Sequence, residues 1–331
     1  MKIKIKKSFP VDTCVDAIVC YKEYIVLGGY DYENNQRRGK LIFLNSKNYE
    51  KIYEAITEGT FDLKVEGEYL FALNSKSLLI YQDLEERLKI HFESFFKEEC
   101  NALALYLEID EIFCYVSFIN GKILFLYKNK IIEKVQNNAE STNMNKNEIL
   151  KHVFSEGNNC FFVKSYEKQP IWYMKSTGKE LFYGDESGNL FSINLKDFKN
   201  YKIHMFLSGV INIFFKKPEE KMKNNENDDF ILCCTTYDGD VAFFNRNNKN
   251  LFQIEHTLKT KGIWRMQRTK VNDRNISICS AIYDGLVIMS DTFRVLVQYK
   301  VESIVYGICL HKNTIIFADF YKKQIFVSQM I

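Results

Sequence analysis

FYGDESGNLFSIN at residues 182–194, TTYDGDVAFFN at 235–245 and AIYDGLVIMS at 281–290 are three versions of one pattern. Each ends a short β-prone run, turns at a cluster of Asp, Asn or Gly, and leaves on a second run of Phe, Val, Ile or Leu. Asp-Gly and Asn-Gly supply the positive-φ turn that suits the twist of paired strands. The runs are too short for ordinary helices and rich in β-forming residues, so each stretch is predicted to be a β-hairpin. The pattern also occurs as GGYDYENNQRRGKLIFLN at 28–45, ALNSKSLLIYQ at 72–82, SFINGKILFLY at 117–127 and FADFYKKQIFVSQ at 317–329. Taking Gly39, Lys76, Gly121, Gly188, Gly239, Gly285 and Lys322 as equivalent turn positions gives spacings of 37, 45, 67, 51, 46 and 37 residues. Repeats of about 40–45 residues are the period of WD-type propeller blades.

Further strand-like runs accompany the hairpins, among them YIVLGG, EYLFAL, IFCYVSF, KELFYG, FILCCTT, ISICSAI and TIIFADF. Adding flanking strands gives four per blade. Seven blades then fill the chain at about 47 residues each, a little above the usual period. The expected fold is all-β: a seven-bladed WD-type β-propeller forming a single domain over 1–331. The final run has no outer strand after it, whereas KIKIKKSF at the start has no blade of its own. Residues 2–8 are therefore predicted to pair beside 324–330 and close the last blade, protecting a sheet edge. Residues 135–150 and 217–229, rich in Asn, Lys and Glu, lack a strand pattern and read as flexible solvated loops.

The chain has 331 residues, 46% of them hydrophobic and 26% charged, with 15 Gly and 3 Pro. This excludes disorder throughout and a collagen-like repeat. The net charge of +3 carries no bulk bias toward polyanions, so nucleic acid is not an expected partner. A local basic patch from Lys6, Lys7, Lys322 and Lys323 is the remaining route to one. No long uncharged apolar run exists, and MKIKIKKSFP lacks the apolar centre of a signal peptide, so no membrane association is expected. Nine cysteines at irregular spacing, without a Cys-x-x-Cys pair, suit free thiols in a reducing cytoplasm better than disulfides or zinc.

Familiar catalytic motifs are missing. There is no Gly-x-Ser-x-Gly elbow, no phosphate loop and no His-Glu-x-x-His. His91, His152, His204, His256 and His311 are scattered, with no pair at metal-ligand spacing. Asp185 and Asp238 sit in turn motifs and read as structural. No cofactor is expected, and the chain is expected to be a monomer.

The two tryptophans carry the most specific signal. Trp172 lies in Gln-Pro-Ile-Trp and Trp264 in Lys-Gly-Ile-Trp-Arg-Met. Glu302-Ser303-Ile304-Val305-Tyr306-Gly307 opens the last repeat, and Asp319-Phe320-Tyr321 closes its turn. These segments, in this order, resemble the WD-repeat diphthine methyl esterase family (also called diphthine methyltransferase). That family carries Gly-Val/Ile-Trp-Arg before its penultimate blade, Asp/Glu-Ser-x-x-Tyr-Gly opening the last, and then Ser-Phe-Tyr-Asp. The long first hairpin from Cys20 to Leu44 and Thr60-Phe61-Asp62-Leu63 are similar as well. This chain departs from the pattern at Tyr321-Lys322, at Phe244 and Phe326 in place of a blade-ending Trp, and at Cys309-Leu310.

The resemblance implies hydrolysis of the methyl ester of methylated diphthine on elongation factor 2, a step of diphthamide biosynthesis. The modified histidine carries a trimethylammonium group, which aromatic faces attract. Trp172, Trp264 and Tyr306 are expected near the starts of innermost strands, at the mouth of a central channel, with Tyr321 as a hydrogen-bond donor. Arg265 is the candidate for positive charge at the ester, and Glu302, Asp62 or Asp319 for the base or for the charge that balances the ammonium. The competing expectation is a non-enzymatic scaffold, in complex assembly or endosomal trafficking.

Overall fold

The computed structural model describes residues 2–34, 36–96, 103–140, 161–166, 168–216, 230–246, 251–271 and 273–331. Cys100, His152, Cys160 and the stretches 141–150 and 217–229 lie outside these. The described strands form seven four-stranded antiparallel sheets, the blades of a β-propeller. Strand β1 (Ile3–Pro10) precedes the first sheet, which holds β2 (Val15–Tyr21), β3 (Tyr24–Glu33), β4 (Gln36–Asn45) and β5 (Lys51–Thr57). The second holds β6 (Thr60–Glu66), β7 (Tyr69–Asn74), β8 (Ser77–Gln82) and β9 (Glu85–His91). The third holds β10 (Ala104–Ile109), β11 (Phe113–Phe118), β12 (Lys122–Tyr127) and β13 (Phe161–Ser165), with helix α1 (Lys128–Glu140) inserted before β13. The fourth runs through β14 (Ile171–Ser176), β15 (Glu180–Asp185), β16 (Asn189–Asn194) and β17 (Asn200–Met205). The fifth contains β18 (Val210–Lys216), β19 (Ile231–Thr236), β20 (Asp240–Arg246) and β21 (Phe252–Lys259). The sixth contains β22 (Ile263–Val271), β23 (Arg274–Ala281), β24 (Gly285–Ser290) and β25 (Val295–Tyr299). The last combines β26 (Val305–His311), β27 (Thr314–Asp319) and β28 (Gln324–Met330) with β1.

The sheets fall into two compact units. One spans Ile171–Val305 and holds the fourth to sixth sheets; the other joins Lys2–Pro170 to Tyr306–Ile331 and holds the remaining four. Inside each unit the first strands of successive sheets pack side by side: β14 on β18 and β18 on β22 in the former, β10 on β6 and β6 on β2 in the latter, where β2 also packs on β27, the second strand of the last sheet. The second and third strands of each sheet are buried on both faces, as in β7 (Tyr69–Asn74) and β19 (Ile231–Thr236). That is why these strands read as continuous apolar runs rather than as alternating ones. The layer between the first and second sheets, for example, packs Tyr21, Val26, Phe43, Leu70 and Tyr81.

The predicted closure is present. β1 pairs antiparallel with β28, from Ile3 opposite Met330 to Pro10 opposite Gln324, with an irregularity between Ile5 and Lys7. The predicted turns at Gly188, Gly239 and Gly285 have φ of 85°, 82° and 83°. Gly39 is different: it lies inside β4 opposite Tyr30, because the first hairpin extends beyond the others and turns after Asn34. Residues 135–140, expected to begin a loop, instead complete α1. Ile131 and Val135, one helical turn apart, are both buried against the core of the second and third sheets, and this spacing is helical.

Deleting residues 2–10 leaves β28 as an unpaired edge and strips Phe9 from the core that includes Ile325 and Val327. The truncated chain should melt at least ~5 °C below the full one by circular dichroism. An unchanged midpoint would show that β1 adds nothing to the last blade.

Candidate functional site

One extra residue interrupts the first strand of six sheets. Register shifts place Asp16, Phe61, Leu105, Trp172, Ile211 and Trp264 between consecutive ladder pairs. Such a bulge bends the strand and re-aims the side chain it carries. Both tryptophans occupy this position, each as the second residue of its strand. Tyr306 is likewise the second residue of β26.

In the Ile171–Val305 unit the bulges bring the two tryptophans together. Their ring centroids are 5.9 Å apart, edge to face. Tyr237, at the turn between β19 and β20, completes a trio at 6.5 Å from Trp172 and 6.4 Å from Trp264. Sequence reasoning missed Tyr237, although it stands in the quoted hairpin TTYDGDVAFFN. Centroids at these distances are in ring-to-ring contact, so the trio forms a half-buried platform and not an enclosed cage. Exposed Glu186, in the turn between β15 and β16, accepts a hydrogen bond from Trp172 Nε1. The result is three aromatic rings with a carboxylate fixed at their edge, a combination suited to a soft cation.

The supports of this platform come from neighbouring strands. Asn212 donates from Nδ2 to the Trp264 carbonyl at 3.1 Å, and Thr235 Oγ1 to the Ile263 carbonyl at 3.1 Å. The Arg265 amide donates to Ser280 Oγ at 2.9 Å. Gly262 explains the Gly-Ile-Trp spelling physically. A Cβ there would lie 2.6 Å from the Tyr237 carbonyl oxygen, too close for any side chain.

The other unit carries its own aromatic seam. Tyr306 packs on Phe320 at 5.0 Å, and Phe320 on Tyr321 at 5.1 Å and on Tyr30 at 5.8 Å. Tyr30 continues to Phe61 at 4.8 Å. Tyr321 is exposed. Burial, reinforced by the negative charge of Asp16, pushes the Tyr30 phenol well up. Gly307 lets β26 approach the first sheet, since a Cβ there would meet Ile18 Cγ1 at 2.8 Å.

The candidate acids and bases are placed as follows. Asp62 is fully buried and accepts hydrogen bonds from the Leu63 and Leu107 amides at 3.0 and 3.3 Å, with Lys64 Nζ at 3.7 Å. It ties β6 to β10, with both oxygens engaged inside the protein. Asp319 is buried at the end of β27. Glu302 is exposed in the connection between β25 and β26, and Arg265 is half-buried next to Trp264. Asp185 accepts from the Asn189 amide and side chain at 2.8 Å each, the turn role expected of it. His204 packs on Phe206 and Phe244, and burial lowers its pKa. Of the expected basic patch, Lys323 pairs with Asp31 at 2.8 Å and Lys7 donates to the Asn48 carbonyl at 2.8 Å.

Comparison with known proteins places the fold. A chain of the mitotic checkpoint complex, known from a crystal structure, superposes with a TM-score of 0.66 over 98% of this chain and 91% of its own length, at 10% sequence identity. Likeness at that identity shows a WD-type propeller fold and nothing finer. No family model and no curated protein matches the sequence.

Two outcomes test the platform. Gly262→Ala forces its Cβ onto the Tyr237 carbonyl and should cost about 1–3 kcal/mol in urea unfolding, with a shifted tryptophan emission. Equal stability and emission would disprove the packing argument. Glu186→Gln removes the charge but keeps an acceptor for Trp172, so it should change stability by under ~0.5 kcal/mol while weakening any cation on the rings.

Proposed function

We propose that this propeller binds a protein side chain bearing a trimethylammonium group on the Trp172–Tyr237–Trp264 platform, and that its substrate is elongation factor 2 carrying methylated diphthine. The observation that supports this reading is the meeting of both tryptophans with a third ring and an anchored carboxylate. A quaternary ammonium has no N–H to donate, so recognition has to come from ring faces and a nearby negative charge. Trp172, Tyr237, Trp264 and Glu186 supply both.

On this reading the reaction is hydrolysis of the methyl ester. Water adds to the acyl carbon, the acyl C–O bond breaks, and methanol, a carboxylate and a proton result. Arg265, beside Trp264, is assigned to the developing oxyanion, and Glu302 to the proton of the attacking water. Asp62 takes no part, because its oxygens are sealed inside the protein. The scaffold reading uses the same platform without the chemical step. The buried state of Asp62 and the protein-complex setting of the structural neighbour support it as the runner-up.

The decisive measurement is incubation with elongation factor 2 bearing methylated diphthine, followed by mass spectrometry. The expected product has lost one methylene unit, and Trp264→Ala should slow its formation at least ~10-fold, about 1.4 kcal/mol. Binding without a mass change would favour the scaffold. Trp172 and Trp264 are the only tryptophans, so their fluorescence reports this cluster alone. Choline should quench it in the native protein and less in Glu186→Gln.

A further inference from the structure

Arg37 lies on the extended part of the first hairpin, directly opposite Tyr32. Its guanidinium sits over three rings, with Cζ at 5.8 Å from the centroid of Tyr30, 5.1 Å from Tyr32 and 5.7 Å from Phe61. The hairpin is pinned. Asp31 accepts from Lys323 Nζ at 2.8 Å and from the Cys14 thiol at 3.3 Å. A Cβ on Gly59 would lie 3.1 Å from Arg37 Cβ and 3.2 Å from Tyr30 Cβ, so the two segments are in close contact.

A second arginine shows the same stacking carried to completion. Arg246 lies over Phe252 at 4.6 Å and pairs with the Glu180 carboxylate through Nη2. In both arginines Nε is buried without an acceptor, which leaves the pairing to the terminal nitrogens. Arg37 differs in one respect: among the described residues no carboxylate lies within ion-pair distance of it, and three ring faces lie under its guanidinium. A guanidinium held flat by aromatic rings keeps a planar fork of N–H donors matched to a carboxylate.

We infer that Arg37 is the anchor of a second binding surface, which takes the side-chain carboxylate of an acidic segment on a partner protein. The surroundings favour a protein partner. Tyr30, Phe61, Phe320 and Tyr321 form a continuous aromatic seam beside Arg37, and Tyr32 and Tyr321 are 60% and 66% exposed. Arginine and tyrosine in one patch are typical interface anchors. A carboxylate fits better than a phosphate. Asp31 is already paired with Lys323, while Glu33 on the same hairpin and the negative charge of Asp16 acting on Tyr30 oppose more than a single negative charge at Arg37. Arg37 and the rings under it, Tyr30, Tyr32 and Phe61, take no part in the ester-hydrolysis reading, so either can fail alone.

The test uses the full-length protein and three pools of nine-residue peptides on an array. All have randomised flanks. Their centres are Asp or Glu, Asn or Gln, or phosphoserine. The acidic pool should be retained about 10-fold better than the amide pool, and Arg37→Gln should remove that difference. Arg37→Lys keeps the charge but loses the fork, so it should retain only part of the preference; both variants are checked for native melting. Equal retention of acidic and amide pools would overturn the proposal, as would an acidic preference that survives in a folded Arg37→Gln protein. Stronger retention of the phosphoserine pool would replace the carboxylate with a phosphate.

Discussion

A strand that carries one residue too many for its ladder cannot point every side chain into the sheet. This constraint recurs at the start of β2, β6, β10, β14, β18 and β22, and both candidate surfaces depend on it. The rest of each blade is regular. Its middle strands are buried on both faces, and their side chains are committed to packing against neighbouring sheets. In those six blades the bulge takes one side chain out of the ladder's regular alternation. Where it is Trp172 or Trp264, the ring meets another such ring. Where it is Phe61, it becomes part of the floor under Arg37.

Rigidity around these positions follows from hydrogen bonds made by residues that never reach the surface. Thr235 and Asn212 hold the backbone on either side of the Trp264 bulge. Asp62 joins two first strands through backbone amides. A buried carboxylate costs several kcal/mol to desolvate unless its lone pairs are met, and here amide donors and Lys64 meet them. Asp62 therefore helps to fix the geometry of the strand starts.

Several features were legible in the chain because their causes are local. A turn at Gly188 or Gly239 requires positive φ within a few residues, and the flanking runs announce their strands by composition. The pairing of β1 with β28 was legible by subtraction, since one end had a spare strand and the other lacked one. Helix α1 was missed because its apolar signal, Ile131, Ile132 and Val135, begins before the Asn-rich stretch that drew attention. The turn of the first hairpin was misplaced because Gly39 keeps the register of the other turn glycines while the hairpin continues past it.

The amino-acid order by itself determined that this chain makes seven short-stranded repeats, where most of them turn, and which two tryptophans stand at the start of a strand. Those properties depend on backbone conformation and hydrophobic patterning over a few residues. Only the tertiary structure decided that Tyr237 and Glu186 join the tryptophans, that Asp62 is sealed, and that Arg37 lies over three rings. Each of these is a meeting between different strands or sheets, set by how the blades pack, and no spacing along one strand encodes it.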